Sequence, residues 1–413
     1  MRYELGNMDK YSLAVRETVM ENASFFKATL DENIDETKLL KSIKIALDYH
    51  PLFKCKLVYE KQYYLEDNDE EIRIFNVDVD NRPKEFGKNT NGYLFQICYF
   101  ANTISFEWCH VVSDGRGAIR FLSTILDAYF SIPLPEIPKQ FPLNLGFESV
   151  YDKSVKPLGQ IKQPKGFKAR DMKVIKNGYK CTCHVLKVET SEVMRVSKKI
   201  DVTPSAIVVP LFCKAIREHL PQNAKNRNVS CGIVVDFRGP MKMDTMHNFI
   251  NTKVITYHDK FDALDLEKTA TIYRGILDLF VQPENVIYSC TSAKDATDFL
   301  YDLKPAILRK MVMKVVGKIV KRSMNNIGFT YLGRVPFSEE VKKHLKDFVF
   351  RSWPDIGDCV MAAVDLNGTL IIDISENYAD KGVVDSFVRI CHEYGMNVEE
   401  YESVLFEQAN VRF

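Results

Sequence analysis

The sequence predicts an α+β protein of two lobes, each a mostly antiparallel sheet with helices. Three observations lead there. Short alternating apolar runs come in closely spaced pairs, as antiparallel strands do. Other segments carry apolar residues three and four apart, as amphipathic helices do. A proline- and lysine-rich stretch holding Pro133, Pro135, Pro138, Pro142, Pro157 and Pro164 separates two halves of similar make-up. Residues 1–150 are therefore expected to form an N-terminal lobe, 151–180 a linker and 181–413 a C-terminal lobe.

The elements follow in order. SFFKATLD, residues 24–31, alternates as a strand. Asp35 caps a helix in which Leu39, Leu40, Ile43 and Leu47 recur at helical spacing, and Pro51 ends it. Residues 54–67 read as a hairpin and 72–78 as a strand. Residues 93–100 and 103–110 pair across a turn at Asn102, and the second of these strands ends at His110. A helix follows over 117–130, with Ile119, Leu122, Ile125, Leu126 and Tyr129 on one side.

In the second half, CHVLKVE is a strand, and the next helix is expected to be capped by Ser191. Another helix starts at Thr203, with Pro204 in its first turn. Residues 229–237 and 248–258 are strands, 265–280 and 293–323 helical, and 326–335 a strand. A hairpin turns at Asn367-Gly368, and a last helix ends at Gly395. Within the helical region, ILRKMVMKVVGKIVKRSM (307–324) reads as a basic amphipathic helix docked on the protein.

Composition narrows the function classes. The chain has 413 residues, 46% hydrophobic and 27% charged, and a net charge of +1. Such a chain buries sizeable cores without metals or disulfides. A near-neutral balance argues against a nucleic-acid partner, which calls for a clustered basic face. The ten cysteines stand singly in apolar or mixed runs, as at Cys98, Cys109 and Cys391, which suits a reducing, cytoplasmic setting. In KCTCH, Cys181 and Cys183 share one strand face and His184 takes the other, so no metal site is expected. The opening residues lack the apolar core of a signal peptide, and no run reaches the length of a membrane span.

Residues 110–117, HVVSDGRG, carry the candidate chemistry. Neutral imidazole is a general base near pH 7, provided its tautomer and ring are fixed. Asp114, four residues beyond His110, can support that geometry directly or through a partner. Gly115 and Gly117 give the loop room to turn, and a helix start brings backbone N–H groups toward the site. A second histidine–aspartate pair at the same spacing, His258 and Asp262, lacks the glycine and precedes a surface-like helix, so it is read as structural.

The pattern HxxxDGxG, after an apolar strand and before an amphipathic helix, resembles the signature of the chloramphenicol-acetyltransferase-like superfamily. That superfamily includes condensation domains, plant acyltransferases, polyketide-associated acyltransferases and alcohol acetyltransferases. Three further segments resemble it in order: LLKSIKIALDYHPLFKCKL, VVDFRGPM with HNFINT, and FTYLGRV. The resemblance runs over essentially the whole chain. A motif near residue 110, with a second lobe after it, matches the monomeric members, whose two lobes meet at a tunnel.

By that resemblance, His110 deprotonates an alcohol or amine, which attacks a thioester carbonyl without a covalent enzyme intermediate. Asp114 is structural and pairs with Arg238. Amides near Gly115, together with Thr330, meet the oxyanion. Acyl-CoA or an acyl-carrier protein is the expected co-substrate, with no permanently bound cofactor and no attached carrier or adenylation domain expected. Two positions depart from the family. Cys109 stands where many condensation domains have a second histidine, and Tyr331 where the alcohol-acetyltransferase branch has Asn. The leading expectation is O-acyl transfer from acyl-CoA to an alcohol. Its alternatives are a condensation-type N-acyltransferase fed by a carrier protein and a non-catalytic ligand- or partner-binding relative.

Overall fold

The structure is a computed structural model. It describes residues 2–6, 9–10, 13, 23–60, 62–83, 85–136, 146–159, 161–167, 180–221, 227–303, 308, 311–312, 315, 327–354, 359–378, 381–407 and 410–412.

Two mixed, mostly antiparallel sheets organise the described residues. The first has the order Leu345–Arg351, Ala23–Leu30, Thr103–Cys109, Phe95–Phe100, Ile74–Asn76. One face of its central strands, with Phe26, Phe106 and Trp108, is apolar because the Glu36–Tyr49 and Gly115–Tyr129 helices pack in the same core; the other carries the polar Lys27, Gln96, Ser105 and Glu107. Phe26 stacks on Trp108 at 4.5 Å between ring centroids and on Phe348 at 5.4 Å. The second sheet runs Ile250–Tyr257, Val229–Asp236, Ile327–Arg334, Cys359–Leu366, Thr369–Glu376, Lys180–Glu189, Glu399–Glu407. The Pro204–His219 and Gly382–Glu393 helices pack in its core.

Most sequence expectations fall on observed elements. Asp35 caps its helix by accepting from the Lys38 N–H. The Asn367-Gly368 turn has positive φ at both residues, 52° and 86°, as a two-residue hairpin turn of this hand requires. Gly395 takes φ 70° just past the last long helix.

The chain is less separable into halves than a boundary at 151–180 implies. Leu345–Arg351 belongs to the C-terminal half by sequence, yet it pairs with Ala23–Leu30 on the edge of the first sheet. Asn410–Arg412 likewise pairs with Glu85–Gly87. Buried charges tie the same seam: Arg351 on the crossing strand donates from Nη2 to Asp373 of the second sheet at 2.8 Å. Packing against this seam, Phe406 lies under both Arg82 and Arg351.

One local expectation is corrected. Ser191 does not cap its helix, which begins at Thr190 after Glu189. The Thr190 N–H is already taken by the Gly368 carbonyl at 2.7 Å, so the neighbouring hairpin does the work of a cap. Segment 307–324 lies mostly outside the described residues. Of those described, Leu308, Met311 and Val315 are exposed and Val312 is half-buried. Among the described residues, no helix is long and apolar enough to cross a membrane.

Candidate active site

The site is built where the Thr103–Cys109 strand stops. That strand is paired on both sides, to Ala23–Leu30 and Phe95–Phe100, so its end is fixed. His110 follows, half-buried, in a turn closed by Val112 N–H to Cys109 carbonyl at 2.9 Å. Asp114, fully buried, is the N-cap of the Gly115–Tyr129 helix. Its Oδ1 accepts from the N–H groups of Arg116 and Gly117, both at 3.1 Å.

The same carboxylate joins the two lobes. Arg238 Nη2 donates to Asp114 Oδ1 and Oδ2 at 3.0 and 2.9 Å, and Phe249 N–H donates to Oδ2 at 2.9 Å. Arg238 also donates from Nε to the Thr245 carbonyl, from Nη2 to the His247 carbonyl and from Nη1 to Asp236. Burial opposes the guanidinium charge, but Asp114 and Asp236 outweigh it and hold the Arg238 pKa above the ordinary arginine value. The structure thus brings His110, Asp114, Gly115 and Arg238 together, and it commits Asp114 to architecture rather than to the imidazole. Sequence spacing alone allowed Asp114 to support His110 directly.

No protein-family profile matches the sequence, and no curated protein matches it. Solved structures do. The epimerization domain from the third module of tyrocidine synthetase B aligns over 95% of this chain and 96% of its own, at TM-score 0.60 and 14% identity. Polyketide synthase associated protein 5 from Mycobacterium tuberculosis aligns over 95% and 98%, at 0.65 and 12%. F. sporotrichioides TRI101, solved with coenzyme A and T-2, aligns over 97% and 99%, at 0.62 and 11%. The chain has the chloramphenicol-acetyltransferase-like fold.

Within this fold, glycine at 117 has a steric reason. A Cβ there would lie 2.0 Å from Ser113 Oγ and 2.6 Å from the Met246 carbonyl oxygen. Gly115 is less constrained: its nearest neighbour is the Leu332 side chain, at 3.1 Å. The expectation that this helix start offers open amides needs correction, because the Arg116 and Gly117 N–H groups are spent on Asp114.

Thr330 sits half-buried in Ile327–Arg334, paired with Ala362. Phe329 and Tyr331 pack in the second core and Leu332 in the first, so alternation places Thr330 on the Leu332 side.

Three residues beside His110 were not singled out from sequence. Ser24 Oγ lies 3.5 Å from His110 Nε2 and 3.5 Å from Ser352 Oγ. Asn248 lies against the other side of the ring, its Oδ1 3.5 Å from Nδ1. Asp9 stands behind Asn248. Ser24 was findable once the register was known, because it pairs with Trp108, two residues before His110. Asn248 opens the NF pair already noted in HNFINT. Asp9 has no local signal.

The remaining histidine and cysteine candidates resolve as structural. His258 lies 3.7 Å from Asp259 Oδ1, while Asp262 pairs with Arg217. The Cys181 and Cys183 sulfurs are 3.6 Å apart and buried, and His184 turns instead to Glu376 and Glu400. Among the described residues, no group of three or more His, Cys, Asp or Glu side chains is placed to hold a metal.

Proposed function

We propose that this chain is an acyltransferase that moves an acyl group from a thioester, acyl-CoA, to an alcohol hydroxyl, with His110 as general base. The observation that carries the reading is the placement of His110. It is half-buried at a strand end, with Nε2 turned toward Ser24 and Nδ1 toward Asn248, on a loop locked by Asp114 and Arg238. A fixed imidazole at a seam between lobes is what proton abstraction from a bound hydroxyl requires. Support also comes from a neighbour of the same fold crystallised with coenzyme A and a small molecule.

In this reading the acceptor hydroxyl gives its proton to His110 Nε2 as its oxygen attacks the thioester carbonyl. The tetrahedral oxyanion collapses, expels the thiolate and takes no covalent bond to the enzyme. The imidazolium then returns its proton to the leaving sulfur. Acyl-CoA is a co-substrate and nothing is permanently bound. With Arg116 and Gly117 N–H groups occupied, the oxyanion falls to other donors near Gly115 and to Thr330. We further place the protein as a monomer in a reducing, cytoplasmic setting; the setting is supported by ten buried cysteines, none of them in a disulfide.

Fold alone does not fix the reaction, and one neighbour is an epimerization domain. The test is acceptor-dependent thiol release from acetyl-CoA and longer acyl-CoAs, comparing wild type with His110→Ala. Release that is lost in the folded mutant supports the proposal. A folded wild type inert with every CoA donor overturns it, and redirects the search to carrier-bound acyl donors with amine acceptors or to a binding role.

A further inference from the structure

The orientation of the Asn248 amide is decided by its neighbours. Its Nδ2 donates to the His110 carbonyl at 2.6 Å and to Asp9 Oδ1 at 2.8 Å, so both amide protons are used. Rotating the amide by half a turn would set Oδ1 against a carbonyl and a carboxylate, three acceptors with no proton among them. Asn248 and Asp9 are 3% and 2% exposed, so water does not relieve such a clash cheaply. Asp9 is itself held: its Oδ2 accepts from the Gly6 N–H at 3.1 Å and lies 3.9 Å from His247 Nδ1. Asn248 Oδ1 is therefore the atom facing His110 Nδ1 at 3.5 Å. Being only an acceptor, it favours a proton on that nitrogen.

We propose that Asn248 holds His110 in the Nδ1–H tautomer and that Asp9 holds Asn248, so that the lone pair needed for proton abstraction sits on Nε2. Both are positioning residues; neither touches the reacting atoms. The proposal rests on the reading of His110 as general base for its consequence, but its structural content does not. Three sequence-distant parts meet here: the first residues of the chain, the HxxxDG loop and the segment after Arg238. A hydrogen-bond partner at one ring nitrogen sets which nitrogen of a histidine carries the proton.

The test is the protonation pattern of the His110 ring nitrogens, read by 15N NMR of protein labelled at histidine, with His110→Ala assigning the signal. We expect Nδ1–H in the wild type and a mixture with Nε2–H in Asn248→Ala and Asp9→Ala. Asp9→Asn retains an acceptor and should restore the wild-type pattern. In thiol release we expect kcat to fall roughly 10- to 100-fold in the two alanine variants, part of what a general base supplies, with KM little changed. An Nε2–H ring in the wild type, or an Nδ1–H ring unchanged in both alanine variants, overturns the proposal. Should Asn248→Ala fail to fold, the Asp9→Ala and Asp9→Asn pair decides alone. The NMR result stands even if no acyl-CoA is turned over, so failure of the acyl-transfer reading is separately visible.

Discussion

At Asp114 a single carboxylate joins a helix start, a guanidinium and a backbone amide of the other lobe. Removing it leaves the buried Arg238 with Asp236 as its remaining charged neighbour among these contacts. We expect Asp114→Ala to lower unfolding stability by roughly 3–5 kcal/mol in urea titrations, the usual cost of breaking a buried pair from one side. His110→Ala, at a half-buried turn, should cost far less stability while abolishing turnover. His50 gives a pH signature. It is buried against Thr124 Oγ1 at 2.8 Å, and burial, aided by Arg120, pushes its pKa down to about 4. Because the unfolded chain binds the proton near pH 6.5, the neutral-His50 contribution is complete above that value. It is lost as pH falls toward about 4, by up to about 3 kcal/mol. His50→Gln should flatten that limb of a stability-versus-pH curve; an unchanged slope would assign the acid sensitivity elsewhere.

At the scale of elements, the Gly115–Tyr129 helix start is wedged against the chain around Met246, with Ser113 Oγ donating to the Met246 carbonyl at 2.6 Å. Gly117→Ala must push backbone from backbone, whereas Gly115→Ala meets the movable end of Leu332. We expect the first to cost roughly 1–3 kcal/mol, as overpacking does, and to disturb the Asp114–Phe249 contact; the second should cost clearly less. Thermal unfolding of the two variants side by side checks this order. The motif glycines were legible as loop and helix-start residues, because that chemistry is local. Their unequal tolerance was not, because it depends on which neighbour the fold brings: backbone in one case, a leucine tip in the other.

For the whole molecule, the crossing strand decides cooperativity. Leu345–Arg351 completes the first sheet, and its Phe348 and Phe350 pack on Phe26 at 5.4 and 5.1 Å. A fragment of residues 1–150 lacks this edge and leaves Phe26 and Trp108 without those partners. We expect it to give no ordered near-ultraviolet circular dichroism and to bind hydrophobic dyes, although it carries the entire HxxxDG motif. A natively folded fragment would show the lobes to be independent.

The sequence by itself determined the order and kind of most elements, the two-lobe α+β class and the pair Asp114–Arg238 through its family resemblance. Periodicity, caps and turns act within a few residues, so they can be read there. Tertiary structure alone decided that Leu345–Arg351 joins the first sheet, that Arg116 and Gly117 amides are spent on Asp114, and that Ser24, Asn248 and Asp9 surround His110. Alternation shows that a segment is a strand but not which strand it pairs with. A hydrogen bond between residues 138 positions apart, such as Asn248 to His110, leaves no trace in either neighbourhood.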